Sequence, residues 1–438
     1  MRSRFAIFGP GRIDRMNILN WSAASRLMAI VAMLAMTAGG CASVPNPPDN
    51  PSFEQHLATK KKSNITVSVA VLTDAEAKRY FGFPLADQGV QAVWLKVRNE
   101  NSYPIGLVSR SMDPQYFSPL EVAYAYHRVF ADERNMQLDE LFSRSRFPAF
   151  VEPNDTDTGF VFTSRSEGAK FVNVEFWHGN GLTRDGFYMK LPSGGFDFEQ
   201  SEFAMNYDRG TVKALDLEQL HRQLETMPCC TSNNSGSRNG DPVNFALIGD
   251  EDAVMGALTE QGWDPTHVIG RESVGKTVSS FLFGGQYRYS PVSPLFFFGR
   301  QQDLALQKVR STIHQRNHLR LWLAPFSFNG KDVWVGQISR DIGVRLTWSS
   351  PILMTHKIDP DVDEAREYLV QDILASGFLE SLGYVHGVGE STIQAPSRNL
   401  TGDPYFSDGL RAVMFVSSEP VPSDKINLIE WGEPLPTD

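Results

Sequence analysis

Asn317-His318-Leu319-Arg320-Leu321-Trp322-Leu323, followed by Asn329-Gly330 and then Asp332-Val333-Trp334-Val335-Gly336-Gln337-Ile338, is the stretch that decides the fold. Its first run alternates. Successive strand side chains point to opposite faces, so Leu319, Leu321 and Leu323 look one way and His318, Arg320 and Trp322 the other. Asn-Gly between two such runs is the strongest short hairpin signal, because both residues accept the positive φ of a tight hairpin turn. Two strands turning back on each other predict an antiparallel ladder whose two faces differ in polarity.

The flanking sequence extends this ladder into a domain. Downstream, Asp361 with Glu364 three residues on marks a helix start; Ala365, Leu369 and Ile373 form its inner face and Gly377 its stop. Val413 to Ser417 reads as a last strand. Upstream, Val243 to Ile248 is a strand, and Asp250 caps a helix carrying Val254, Ala257 and Leu258, which Gly262 ends. Leu295 to Phe298 is a further strand. This order predicts an α+β domain over residues 241–438, with a mixed or antiparallel sheet and helices on one face.

The region resembles the LssY-like C-terminal domain. The resemblance rests on Asp241-Pro242-Val243-Asn244 with Gly262-Trp263, on Phe298-Gly299-Arg300-Gln301-Gln302-Asp303, on His318-Leu319-Arg320-Leu321-Trp322, and on Thr355-His356-Lys357-Ile358-Asp359 leading to Asp363 and Arg366. It runs from about Gly240 to the end of the chain. It implies association with membranes, since relatives include proteins fused to lipid-phosphatase-like membrane domains. This chain departs from those: it has no multispan segment, and Gly195 follows Pro192-Ser193-Gly194 where the acid-phosphatase signature needs His. Phosphatase activity is therefore not implied.

Before this region the pattern changes. Ile65–Leu72, Gln91–Asn99, Ile105–Val108, Gly159–Ser164, Lys170–Trp177 and Phe187–Leu191 are short apolar or alternating runs. Turn chemistry such as Pro153-Asn154-Asp155 and Gly179-Asn180-Gly181 separates them. They predict a β-sandwich-like domain over residues 63–200, interrupted by one helix. Ser118-Pro119-Leu120-Glu121 starts that helix as a capping box with proline at its first position, and Val122 to Phe130 follows. Residues 201–240 read as a linker, with a short helix over Leu215 to Met227 and a Ser/Asn/Gly-rich stretch around Cys229-Cys230. In an oxidising compartment that adjacent pair can close a disulfide; it lacks the spacer of a Cys-x-x-Cys redox motif.

The compartment is read from the N-terminus. An apolar run from Leu27 to Ala38 follows Arg12, Arg15 and Arg26 and ends at Ala38-Gly39-Gly40-Cys41. This is the layout of a secretory signal over residues 1–40, and Cys41 after small residues resembles a lipobox, although Ala38 stands where Leu is usual. The run of about 12 residues falls short of the ~20 that span a bilayer. The expectation is a bacterial lipoprotein, acylated (palmitate class) at Cys41. Residues 41–62 would be its tether, and its place the cell envelope, facing the periplasm at the outer membrane. Removing the first 40 residues takes away five arginines and one aspartate, leaving 36 basic against 50 acidic residues, a net charge of −14. That balance argues against nucleic-acid binding, which needs a basic footprint. The expected partners are the membrane, through the N-terminal lipid, and an envelope partner or ligand.

One constellation in the second region carries chemistry. His314, His318, His356 and Asp341 form a candidate catalytic set. The three histidines, His314, His318 and His356, are also a candidate site for a divalent metal such as zinc. Arg300, Arg320 and Arg366 with Asp359 and Asp363 are candidate ligand-binding residues, since arginine holds phosphate or carboxylate in bidentate fashion. The bland reading is a structural polar network, and the sequence leaves it open whether the chain is an enzyme. Neither a Gly-x-Ser-x-Gly elbow nor a phosphate-binding glycine loop is present. Two functions remain: a membrane-anchored binding or accessory module, and a metal- or His/Asp-dependent hydrolase of an envelope substrate, phosphate-bearing ones included. They separate on whether the histidines converge in an open cleft or are buried against aspartate.

Overall fold

The structure is a computed structural model. It describes residues 44, 47–48, 51–179, 181–191, 196, 211–266, 292–309, 316–346 and 354–431. Residues 45–438 form one compact unit, and its class is α+β.

The first region is built from β1 (Ala58–Lys62), β2 (Ile65–Val71), β3 (Val90–Asn99), β4 (Ile105–Leu107), β5 (Phe150–Val151), β6 (Thr156–Ser164), β7 (Ala169–His178) and β8 (Gly181–Lys190). Among the described residues these make two four-stranded sheets, β1-β2-β3-β6 and β5-β4-β7-β8. Alternate residues of both sheets meet in one core, with Val67, Val69, Val93, Leu95, Val172, Val174 and Phe176 buried. This is the sandwich arrangement in which each strand keeps one apolar face inward.

Its helices are α1 (Asp74–Phe81), α2 (Ser109–Met112), α3 (Pro119–Tyr124) and α4 (Asp132–Ser145), where the sequence reading has one. The predicted capping box forms: Ser118 Oγ accepts from the Glu121 amide at 3.1 Å, and Glu121 accepts from the Ser118 amide at 3.2 Å. The helix stops at Tyr124 rather than running to Phe130. Phe130 takes φ 62°, outside helical geometry, and α4 then starts afresh.

The second region contains β9 (Lys213–Leu215), β10 (Cys230–Ser232), β11 (Asn239–Pro242), β12 (Phe245–Ile248), β13 (Asp264–Pro265), β14 (Phe296–Phe297), β15 (Arg300–Gln301) and β16 (Leu304–Val309). These are followed by β17 (Arg316–Phe328), β18 (Lys331–Leu346), β19 (Met354–Ile358), β20 (Leu379–Ser391), β21 (Ser397–Arg398), β22 (Pro404–Tyr405), β23 (Ser407–Val416) and β24 (Asn427–Ile429). Among the described residues its helices are α5 (Leu217–Thr226), α6 (Glu251–Glu260) and α7 (Val362–Ser376). The main sheet runs β13-β16-β17-β18-β12-β23-β20-β24, with β19 on β18 and β9 on β17. It is mixed: β12 lies parallel to β23 and antiparallel to β18.

The hairpin forms as read. Phe328 pairs with Lys331, and Asn329 and Gly330 between them have φ 49° and 78°, both positive as a type I′ turn requires. Leu319, Leu321 and Ile338 join Leu304, Trp263, Leu369 and Ile373 in the core under α6 and α7. Asp361 caps α7 by accepting from the Glu364 amide, and Gly377 ends it at φ 76°. Not every helix lies on that face. Leu220 and Leu224 of α5 pack on the opposite one, with Trp322, Val333, Val335 and Val413. The segment read as a linker holds paired strands, since Cys230 and Ser232 of β10 register with Pro242 and Asn239 of β11. Cys229 and Cys230 are joined as a disulfide.

The approach of β12 to β18 is close. The Phe245 ring lies over Gly336, where an added Cβ would come within 2.0 Å of it, so the ladder needs glycine there.

Candidate functional site

The opposite face of the hairpin is polar at one end. Strand alternation brings Arg316, His318 and Arg320 of β17 to the same side as Gln337, Ser339 and Asp341 of β18, with Gln307 from β16. Across the ladder His318 faces Ser339, Arg320 faces Gln337, and Gln307 faces His318. All seven are buried. A polar stripe at this depth is costly unless its members satisfy one another.

Part of that demand is met in pairs. His318 Nε2 lies 2.7 Å from Asp341 Oδ2, with the two residues only 7% and 2% exposed. Asp341 also attracts Arg316, whose Nε is 3.7 Å away. Arg316 Nη1 donates to Gln307 Oε1 at 2.7 Å, and Arg320 Nη1 to Gln337 Oε1 at 2.8 Å. Arg320 also donates to the Ser293 carbonyl. A second buried carboxyl, Asp241, lies within the field of Arg320 and accepts from Asn399 Nδ2 at 2.9 Å.

The electrostatics follow from burial. Burial pushes the His318 imidazolium down from its ordinary value; Asp341 pulls the other way, but Arg316 and Arg320 add to the depression. Where His318 is neutral and Asp341 ionised, the proton of this bond belongs to His318 Nε2, because a carboxylate can only accept. Burial likewise lowers Arg316 against the attraction of Asp341, and raises Asp241 against Arg320 and Asn399. Two guanidinium groups thus sit among two carboxyl groups, so the cluster offers little net positive charge to an incoming anion.

The other predicted residues are elsewhere. Arg300 forks onto Asp303, at 2.9 and 2.6 Å, and onto the Leu323 carbonyl. Arg366 on α7 binds Asp408 at 2.8 and 2.9 Å, Asp363 at 3.2 Å and the Leu410 carbonyl. Burial opposes the Arg366 charge, but these carboxylates raise it above its usual range. Asp363 also accepts from Ser407 Oγ and the Asp408 amide; it ties α7 to β23. Asp359 accepts from the Asp361 amide, and its own amide donates to the Arg340 carbonyl, closing the turn into α7. The predicted arginines therefore do not converge: each is drawn to its nearest carboxylate or carbonyl.

The metal set can be followed only in part. His314 lies outside the described residues, as does Cys41. His356 sits on β19 opposite Val344. His318 spends its Nε2 on Asp341. Among the described residues no group of three His, Cys, Asp or Glu side chains is placed to hold a metal ion.

Arg316, Gln307, Gln337, Asp241 and Asn399 escaped the sequence reading. The alternation Arg316-His318-Arg320 and Gln337-Ser339-Asp341 was the available signal, since polar residues at every second position of a buried strand must share a face.

Residues 221–410 match the family model described as LssY C-terminus. This region is an LssY-like C-terminal domain. The match begins inside α5, ahead of Gly240, and so takes in Cys229-Cys230 and both strands of the polar cluster. No curated protein shows a match to the chain. No helix among the described residues is long and apolar enough to cross a membrane.

Proposed function

We propose that the protein is a cell-envelope lipoprotein, held to the outer membrane through Cys41 and facing the periplasm. Its LssY-like domain then serves there as a binding or accessory module rather than as a hydrolase. The observation that carries the second half is the His318–Asp341 pair. Both groups are buried and bonded to each other, and Arg316 and Arg320 beside them are engaged by Gln307 and Gln337. A hydrolytic site needs a base within reach of substrate or water; here the histidine is committed to holding two strands in register. The first half is supported by the signal-like segment ending at Cys41 and by the polar, proline-rich stretch after it.

The anchor is tested by fractionating cells that express the full chain and weighing the purified protein. The wild type is expected in the membrane fraction, with its new N-terminus at Cys41 and a mass increased by acyl groups. Cys41→Ser is expected to move the body out of that fraction, because a lipid chain supplies the membrane affinity. A wild-type protein without added acyl mass, or a Cys41→Ser variant still held by membranes, contradicts the anchor.

A further inference from the structure

The connection between α3 and α4 places apolar side chains fully in water. Phe130 is 100% exposed and Val129 82%; Tyr124 at the end of α3 and Met136 in the first turns of α4 are 74% and 64% exposed. An exposed apolar cluster of this kind marks an interaction surface.

The tip is braced in this position. The Asn135 side chain accepts from the Arg128 amide at 3.0 Å and donates to the Arg128 carbonyl at 2.8 Å. Arg134 Nη1 donates to the Tyr126 carbonyl at 3.1 Å, and His127 is bonded to Asp139 at 2.9 Å. Behind the tip, Tyr126 stacks on Phe83 and Phe142 on Phe81, with ring centroids 4.5 and 4.8 Å apart. Phe130 holds a left-handed backbone, φ 62°, a conformation that a residue with a Cβ disfavours. The structure thus spends hydrogen bonds and a disfavoured conformation to hold a phenylalanine away from the core.

The occupant is argued from where the chain leaves the body. Phe53, just after the proline- and asparagine-rich stretch, packs on Trp94 and Phe160, and Phe160 packs on Phe81, which stacks on Phe142 of α4. The tether exit and the helix carrying the tip therefore share one aromatic cluster. The stretch from Cys41 to Pro51 can reach at most roughly 35 Å when extended, so a lipid on Cys41 keeps the body within that distance of a bilayer. The local chemistry suits lipid: valine and phenylalanine at the apex, tyrosines behind them, and Arg128 and Arg134 against Asp132 and Glu133, which leaves no charge bias. Aromatic side chains with polar tips favour the headgroup boundary.

We propose that Val129-Phe130 is a wedge that inserts into the lipid surface to which the chain is tethered, fixing the orientation of the body on the membrane. The proposal takes its membrane from the anchor reading above, so its test leaves the anchor out. The compact unit Pro45–Asp438, which lacks Cys41, is mixed with phosphatidylcholine vesicles and floated on a density gradient, beside Val129→Ser/Phe130→Ser. The wild-type unit is expected to float with the vesicles, and the double variant to lose at least tenfold in partitioning with an unchanged melting temperature, since both positions are exposed. Adding anionic lipid is expected to change little. A wild-type unit that stays at the bottom overturns the wedge and leaves the anchor untouched. So does a variant that floats equally well, or a wild-type dimer in solution that the variant abolishes, which would make the tip a contact between two copies.

Discussion

Replacing Asp341 by asparagine is expected to destabilise the protein by about 3–5 kcal/mol, because it removes one partner from a buried charged pair and leaves Arg316 uncompensated. Asparagine keeps the size and can still accept one hydrogen bond, so the loss reports charge rather than volume. Thermal unfolding followed by circular dichroism should show a melting temperature lower by about 6 °C or more. The same cluster sets a pH dependence. His318 has its folded value held below the ordinary one by burial, with Arg316 and Arg320 contributing. The unfolded chain then binds a proton near pH 6.5 while the folded protein does not. The unfolded state holds more protons below that pH, so stability is fully present above about 6.5 and falls as pH drops towards the folded value. His318→Gln should flatten this acid limb. A melting temperature unmoved by Asp341→Asn, or an acid limb identical in His318→Gln, would show that the pair does not hold the fold.

The second large effect is expected at Arg411, a residue with no exposed surface. Its guanidinium donates to the Val243 carbonyl at 2.8 Å, to the Leu224 carbonyl, and to the Pro228 carbonyl at 3.4 Å. Burial pushes it down to about 10, so its charge is retained at neutral pH. Leu224 and Pro228 flank the C-terminal end of α5, where unpaired carbonyls favour a cation. Arg411 therefore fastens α5 and the Cys229–Cys230 segment to β12 and β23. Arg411→Met keeps the aliphatic volume but leaves these carbonyls without donors, at a cost of about 1–3 kcal/mol for each buried group left unpaired. We expect a loss of about 3 kcal/mol or more and new proteolytic cleavage between Thr226 and Asn239. Arg411→Lys should behave similarly, because a single ammonium cannot replace the planar fork. Equal stability and no new cleavage in Arg411→Met would refute this role.

How far the sequence carried this account depends on the range of the interactions involved. Local signals read correctly: the Asn329-Gly330 turn, the Ser118 capping box, the Asp361 cap and the alternation of β17 all act within a few residues. β20 escaped, because Gly383, Gly387 and Gly389 resemble turn punctuation. In the structure Gly383 and Gly387 serve contact instead, while Gly389 takes a positive φ of 87° with open space around it. A Cβ on Gly387 would meet the Glu225 carbonyl at 2.6 Å, and one on Gly383 the Trp431 ring at 3.1 Å. A bulge between His386 and Gly389 absorbs the irregularity. α1 escaped although Thr73-x-x-Glu76 is a capping box, since the stretch after it is short and its apolar spacing weak.

The site was legible by residue type and not by partnership. His318, Arg320 and Asp341 stand out in the chain, and two of them meet. Arg300 and Arg366 look equally suited to an anion, yet Asp303 and Asp408 claim them. The first partner is three residues away; the second is on β23, far from α7 in sequence, and could not be inferred from spacing. Arg411 gave no signal at all, because its partners are backbone carbonyls, which every residue carries.

On the function proposed above, the His318 cluster closes the fold of the LssY-like domain rather than holding a catalytic metal. Metal content of the purified compact unit Pro45–Asp438, determined by mass spectrometry for the wild type and His318→Ala, decides between the two roles. We expect no stoichiometric ion in either protein and a lower melting temperature for His318→Ala. One ion per chain in the wild type, lost in His318→Ala, would contradict the first role and make the cluster a metal site.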